Sequence, residues 1–191
     1  MAAVEKRDWA AAVAAFRPLA EQNVAAAQVN LGNLYMKGWG VEQDYHAAFR
    51  WYLKAATQGD ALGQNKLGVL HYYGLGVEED HAEAARWFRE AAEQGEPGAQ
   101  AILGSLYAHG DGVTQDRVQA YLWLSLAAER EVEGVAEQRE ALAEAMTPGE
   151  LEEALTRLAE WRQRHDPKPA IEEGNGGKHP TGRRKSGRKR Q

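Results

Sequence analysis

The 36 residues from Asp60 to Gly95 constrain this chain more than any other feature, because they are written three times. Residues 24–59 and 96–131 align with them without a gap. Twelve positions are identical in all three units: Gln28/Gln64/Gln100, Leu31/Leu67/Leu103, Gly32/Gly68/Gly104, Leu34/Leu70/Leu106, Gly38/Gly74/Gly110, Gly40/Gly76/Gly112, Val41/Val77/Val113, Asp44/Asp80/Asp116, Ala48/Ala84/Ala120, Trp51/Trp87/Trp123, Ala55/Ala91/Ala127 and Ala56/Ala92/Ala128. A period in the range of about 20–50 residues is the mark of a stacked array, whose units bury their apolar faces against one another. Residues 1–23 form a partial unit. Asp8, Ala12, Phe16, Ala20 and Gln22 repeat the second half of the next unit, and its first half is missing.

Each unit reads as two helices. In the first, from about Ala25 to Lys37, residues Gln28, Leu31, Leu34 and Tyr35 recur at helical spacing. Gly38 follows as a left-handed stop, and Val41 is expected to fold back as a plug. Asp44 is placed as the N-cap of the second helix, and Asp80–Glu83 and Asp116–Gln119 have capping-box spacing. Ala48, Trp51, Ala55 and Ala56 form the apolar stripe of that helix, which Gly59 and Gly95 end, and Pro97 suits the start of the next first helix. Gly32, Gly68 and Gly104 lie inside helices, where glycine costs about 1 kcal/mol relative to alanine. Their recurrence predicts close contact with the second helix near Ala48, Ala84 and Ala120. Trp51, Trp87 and Trp123 are expected to be core wedges. After residue 128 the repeat fades. A helix is predicted from about Val135 to Met146. Another follows the cap Thr147-Pro148-Gly149-Glu150 and runs to about Arg164, with Leu151, Leu155, Leu158 and Trp161 inward. Residues 132–165 thus read as a capping pair, and residues 166–191, rich in Pro, Gly and charge, as a disordered tail.

The pattern of the LG pair, the G-x-GV turn, the Asp, the Trp and the paired Ala, in register over residues 24–131, resembles the Sel1-like repeat, a relative of the tetratricopeptide repeat with a longer period. Residues 8–23 match its second helix. His71, where the other units have Tyr35 and Tyr107, and Glu131, in place of a stopping glycine, depart from the pattern. The resemblance implies an all-α, right-handed α-solenoid of antiparallel helix pairs that serves as a non-catalytic adaptor in protein complexes. The Met-Thr-Pro segment at 146–148 looks like bacterial members.

The residues themselves offer little to catalysis. The chain has no cysteine, so disulfides and thiolate metal sites are excluded. Its six histidines form no metal-ligand spacing. The three G-x-G turns lack the third glycine and the preceding strand of a dinucleotide loop. No enzyme activity, cofactor or metal is expected. No apolar run is long enough to span a membrane. The sequence as it stands shows no signal peptide, so a cytoplasmic location is expected, or a periplasmic or exported one if the start is truncated.

Two features point to partners. Lys178, Arg183, Arg184, Lys185, Arg188, Lys189 and Arg190 carry no acidic neighbour, and without them the body holds 16 basic against 28 acidic residues, a net −12. Nucleic acid or an anionic surface would therefore be met by the tail alone. The other feature is the variable face of the first helices: Val29, Asn33, Met36 and Lys37; Asn65, Val69, Tyr72 and Tyr73; Ala101, Ser105, Ala108 and His109. The resemblance places this face on the concave side of the solenoid, where it is expected to bind a protein or peptide, with Tyr72 and Tyr73 as anchors.

Overall fold

A computed structural model describes residues 8–165, and every regular element among them is helical. The first element among the described residues is α1 (Trp9–Glu21), a helix of the second type. Three antiparallel pairs follow: α2 (Ala25–Lys37) with α3 (Tyr45–Thr57), α4 (Ala61–Tyr73) with α5 (His81–Glu93), and α6 (Pro97–His109) with α7 (Arg117–Glu129). Each pair packs on the next in a right-handed α-solenoid. Two further helices follow, α8 (Val135–Glu144) and α9 (Pro148–His165), both of which pack mainly on α7.

Local chemistry accounts for the helix ends. Gly38, Gly74 and Gly110 cap α2, α4 and α6 in the left-handed region. The carboxylates of Asp44, Asp80 and Asp116 accept from the backbone N–H of Ala47, Glu83 and Gln119. The predicted capping boxes are only half used at these sites. The N–H of each capping aspartate instead donates to a carbonyl of its own first helix, at Tyr35, His71 and Tyr107, 2.9–3.0 Å away. That bond ties the turn to the helix before it and leaves no donor for Glu83, which pairs with Arg86 at 2.7 Å. A reciprocal box does form at α9: Thr147 N–H donates to Glu150 at 2.7 Å, and Glu150 N–H to the Thr147 hydroxyl at 3.3 Å. Val41, Val77 and Val113 plug the cores as expected.

The core requires three corrections. The helical glycines do meet the second helix, but one turn beyond the alanines. A Cβ at Gly32 would sit 2.6 Å from the Tyr52 ring, one at Gly68 2.7 Å from Phe88, and one at Gly104 2.7 Å from Leu124. Tyr52, Phe88 and Leu124 are thus the fully buried wedges, while Trp51 and Trp87 are only half-buried and Trp123 alone of the three tryptophans is enclosed. In α9, Ala154, Leu158 and Trp161 face inward, but Leu155 is 48% exposed. It lines a shallow groove of about 660 Å³ with Leu151 and Ala159. The reason is that α9 turns a single narrow stripe toward α7, and Trp161 fills it, meeting Trp123 edge-on and donating to Glu93 at 3.3 Å.

Polar groups inside the array join unit to unit. The buried Gln28 amide donates to Ala20 O of α1 at 3.1 Å, and its oxygen accepts from Gln58 at 2.7 Å. Gln64 repeats this with Ala56 and Gln94, and Gln100 donates to Ala92 O.

Candidate partner-binding face

The variable positions of the first helices do not all reach the surface. Lys37, Tyr73 and His109, one per unit, are exposed at the C-terminal ends of α2, α4 and α6. Asn33, Met36, Val69, Tyr72, Ala101, Ser105 and Ala108 are half-buried beside them. Val29 and Asn65, expected on the open face, are buried at 2% and 7% exposure. A helical wheel supposes one packed side, but in an array a first helix touches both its own second helix and the next unit. Val29 accordingly packs in one cluster with Tyr52 and with Leu67 and Leu70 of α4. Asn65 donates at 2.7 Å to Glu96, which caps α6 by accepting from Ala99 N–H.

Others of the expected contact residues are already engaged. The Tyr52 hydroxyl, reaching past Gly32, donates to Asn33 at 2.7 Å and lies 3.6 Å from the Met36 sulfur. His109 Nδ1 turns back to Ser105 O at 2.8 Å. Tyr72 belongs to a cluster that the sequence did not disclose. Its hydroxyl donates to Asp111 Oδ2 at 2.8 Å, and its ring stacks on His81 at 4.5 Å. The same carboxylate, from the turn of the third unit, pairs with His81 Nδ1, while His81 Nε2 lies 3.2 Å from Glu79. Tyr73 is left pointing outward, 63% exposed and edge-on to Tyr72 at 5.0 Å. A signal for the cluster existed. The residues equivalent to His81 and Asp111 two units earlier, Trp9 and Trp39, stack at 4.4 Å, so positions thirty residues apart carry matched partners.

The charges of this cluster are mutually stabilised. The hydrogen bond to Asp111 holds the His81 imidazole above its ordinary 6.5, against the effect of burial and with help from Glu79. Burial would raise the Asp111 carboxyl, but the bonds from His81 and Tyr72 outweigh it, His109 adds to them, and the group sits below 3.8. A raised histidine contributes stability that is complete below about pH 6.5 and lost as pH climbs through its folded value. A lowered aspartate contributes stability that is present above about pH 4 and lost as pH falls through its folded value. The clasp is therefore strongest between those limits. Thermal melts of the native chain and of Asp111→Asn should differ more at about pH 5.5 than at about pH 8.5. A gap that stays constant with pH would deny the pair its role.

The hollows of the face belong to the scaffold. One of about 500 Å³ is lined by Tyr35, Val41 and Asp44, and one of about 450 Å³ by the equivalent Tyr107, Val113 and Asp116. Recurrence at the same repeat position marks them as products of the turn. The basic residues Lys178, Arg183, Arg184, Lys185, Arg188, Lys189 and Arg190 lie outside the described residues. Within those residues, no helix is long and apolar enough to cross a membrane.

The family model of the Sel1 repeat matches residues 25–60, 61–96 and 97–132, one residue out of phase with the units read above. The chain belongs to the Sel1-repeat family. It is similar to a Sel1 repeat protein from Oxalobacter formigenes, with 42% identity and a TM-score of 0.56 over 56% of this chain and 44% of that one. It is also similar to c5321, a protective antigen of uropathogenic Escherichia coli strains with an SLR fold, at 30% identity and a TM-score of 0.75 over 93% of this chain and 38% of that one. Cysteine rich protein B of Helicobacter pylori shares the fold at 21% identity and a TM-score of 0.55, over 71% of this chain and 97% of that one. No curated protein matches the chain significantly. The chain spans less than half the length of the first two relatives, and all three neighbours are bacterial. Sel1-repeat proteins generally act as non-catalytic protein–protein interaction scaffolds.

Proposed function

We propose that this Sel1-repeat chain captures a protein or peptide on the exposed edge of its first helices, with Tyr73 as the anchor. One observation carries the reading. The positions that hold the array together are constant, while Lys37, Tyr73 and His109, equivalent in register, are exposed in all three units and differ in chemistry. A row built this way offers a cation, an aromatic ring and an imidazole to one extended partner. The aromatic is the most exposed large apolar side chain among the described residues. Tyrosine supplies broad contact area and a hydroxyl with little rotamer entropy to lose, which is why aromatics dominate binding hot spots. Tyr72 backs it edge-on and is itself fixed by Asp111, so the anchor stands on a rigid base.

Affinity capture with the full chain and with Tyr73→Ala, read by mass spectrometry, tests this. The variant should lose a specific partner by roughly 10-fold or more, the effect of removing a hot-spot side chain worth about 2 kcal/mol. Its melting temperature should be unchanged, because Tyr73 is exposed. Tyr72→Ala is the wrong probe, since it would also break the clasp with Asp111. Undiminished capture by Tyr73→Ala would end the proposal.

A further inference from the structure

Two arginines of second helices reach the tyrosine of the next first helix. Arg17 donates to the Tyr35 hydroxyl at 3.0 Å, and Arg89 to the Tyr107 hydroxyl at 2.8 Å, with its guanidinium 5.8 Å from the Tyr107 ring centre. The middle unit has neither partner, since Leu53 and His71 stand at those positions. Yet α3 packs on α4 as closely as α1 on α2 and α5 on α6. Stacking therefore does not require the arginine–tyrosine pair. Arg86, Arg139, Arg157 and Arg162 each pair with a glutamate. Arg89 is half-buried, and none of the ion pairs among the described residues includes it. Tyr107 engages one of its N–H groups, and Arg89 lines the hollow of about 450 Å³ beside that tyrosine.

The shape of this hollow comes from the turn, but its lining is particular to the third unit. Glu42 and Glu78 hold the position of Thr114, and Ala47 and Glu83 that of Gln119. In the third unit a hydroxyl and an amide, both able to donate, line the hollow instead. Asp116 is the acid that remains there, and it is engaged as the cap of α7, accepting from Gln119 N–H at 3.0 Å. We infer that the hollow at Arg89 binds a carboxylate presented by a protein partner. The planar guanidinium matches the two oxygens of a carboxylate. Tyr107 already holds it in place, so little rotamer freedom is left to lose on binding. Thr114 and Gln119 can donate to the same oxygens. A phosphate dianion would be repelled by Asp116 more strongly than a carboxylate. The site is independent of Tyr73 and stands whether or not that residue is an anchor.

The probes are N-acetylglycine, which offers only a main-chain carboxylate, and N-acetylglutamate α-amide, which offers only a side-chain one. Each is titrated at constant ionic strength into the isotope-labelled full chain, and NMR follows the Arg89 guanidinium and the backbone N–H of Thr114 and Gln119. Saturable shifts at these groups are expected, and the tighter probe names the source of the carboxylate. The paired change Arg89→Leu with Tyr107→His copies the middle unit, so it should melt with the native chain while the shifts at Thr114 and Gln119 weaken at least ~10-fold, the loss of a hydrogen bond to a charged group. Thr114→Glu restores the acid of the other two units and should weaken binding similarly with Arg89 still in place. Shifts that do not saturate, or that survive both variants, would overturn the inference. Inorganic phosphate binding as tightly as the better carboxylate would overturn the assignment of the ligand.

Discussion

Gly76→Ala is expected to be among the most damaging single-methyl changes in the chain, lowering stability by about 3–5 kcal/mol. Two independent costs add. Gly76 has φ +69°, a conformation that a side chain strains. Its Cβ would also lie 2.6 Å from Tyr45 O and 2.7 Å from His46 N, the backbone at the start of the preceding second helix. Backbone cannot rotate away as a side chain can. The contact between Gly76 O and His46 Nδ1, 2.9 Å, would be disturbed as well. Gly95→Ala supplies the control. Gly95 has φ +82°, but nothing lies within 4 Å of its would-be Cβ, so it bears the conformational strain alone, about 1–2 kcal/mol. For a chain of this size each kcal/mol moves the melting temperature by roughly 2–4 °C. Gly76→Ala should therefore melt roughly 10 °C below the native chain and Gly95→Ala only a few degrees below. Equal shifts would show that close approach of the units at Gly76 contributes nothing.

Phe88→Ala should cost a similar 3–5 kcal/mol by leaving a cavity in the middle unit. The more revealing result lies in its coupling to Gly68. Alone, Gly68→Ala should destabilise, because a Cβ 2.7 Å from the Phe88 ring forces the ring or the helix to shift, at about 1–3 kcal/mol, and the better helix propensity of alanine returns only about 1 kcal/mol. In the Phe88→Ala background the obstruction is gone, and the same substitution should become neutral or stabilising. A double-mutant cycle read by chemical denaturation should give a coupling above about 1 kcal/mol. Additive effects would mean that the glycine is retained for another reason than this ring.

Most of the fold was legible because its signals are local. A glycine in the left-handed region ends a helix wherever it stands, and an aspartate three residues before a free N–H caps one. The helix limits at Lys37, Tyr73 and His109 follow from neighbours in the chain alone. What the sequence withheld lies between units. Tyr52, Phe88 and Leu124 escaped notice because the wedge position tolerates three different side chains, whereas the glycine facing it tolerates one. Val29 and Asn65 were misplaced because a wheel cannot show that a first helix has a neighbour on its flank. Leu155 was drawn inward by the same device, although α9 turns only the narrow stripe of Ala154, Leu158 and Trp161 toward the array. Tyr72 looked like an anchor until Asp111, 39 residues away, was found holding its hydroxyl. Of the face expected to bind, the exposed row of Lys37, Tyr73 and His109 remains.

The buried glutamines carry one further consequence. Each of Gln28 and Gln64 spends its donor on the unit behind and its acceptor on a glutamine of its own unit. A unit that melts away therefore strands a desolvated amide in the one that survives, at about 1–3 kcal/mol per orphaned group. This makes boundaries between ordered and melted repeats expensive, and it couples neighbours in the manner of a one-dimensional lattice. In the third unit the position of Gln58 and Gln94 is held by Arg130, so the glutamine-to-glutamine link is not copied there. The bond across the boundary is kept there, from Gln100 to Ala92 O at 3.1 Å, so the coupling of each unit to the one behind it runs through all three repeats.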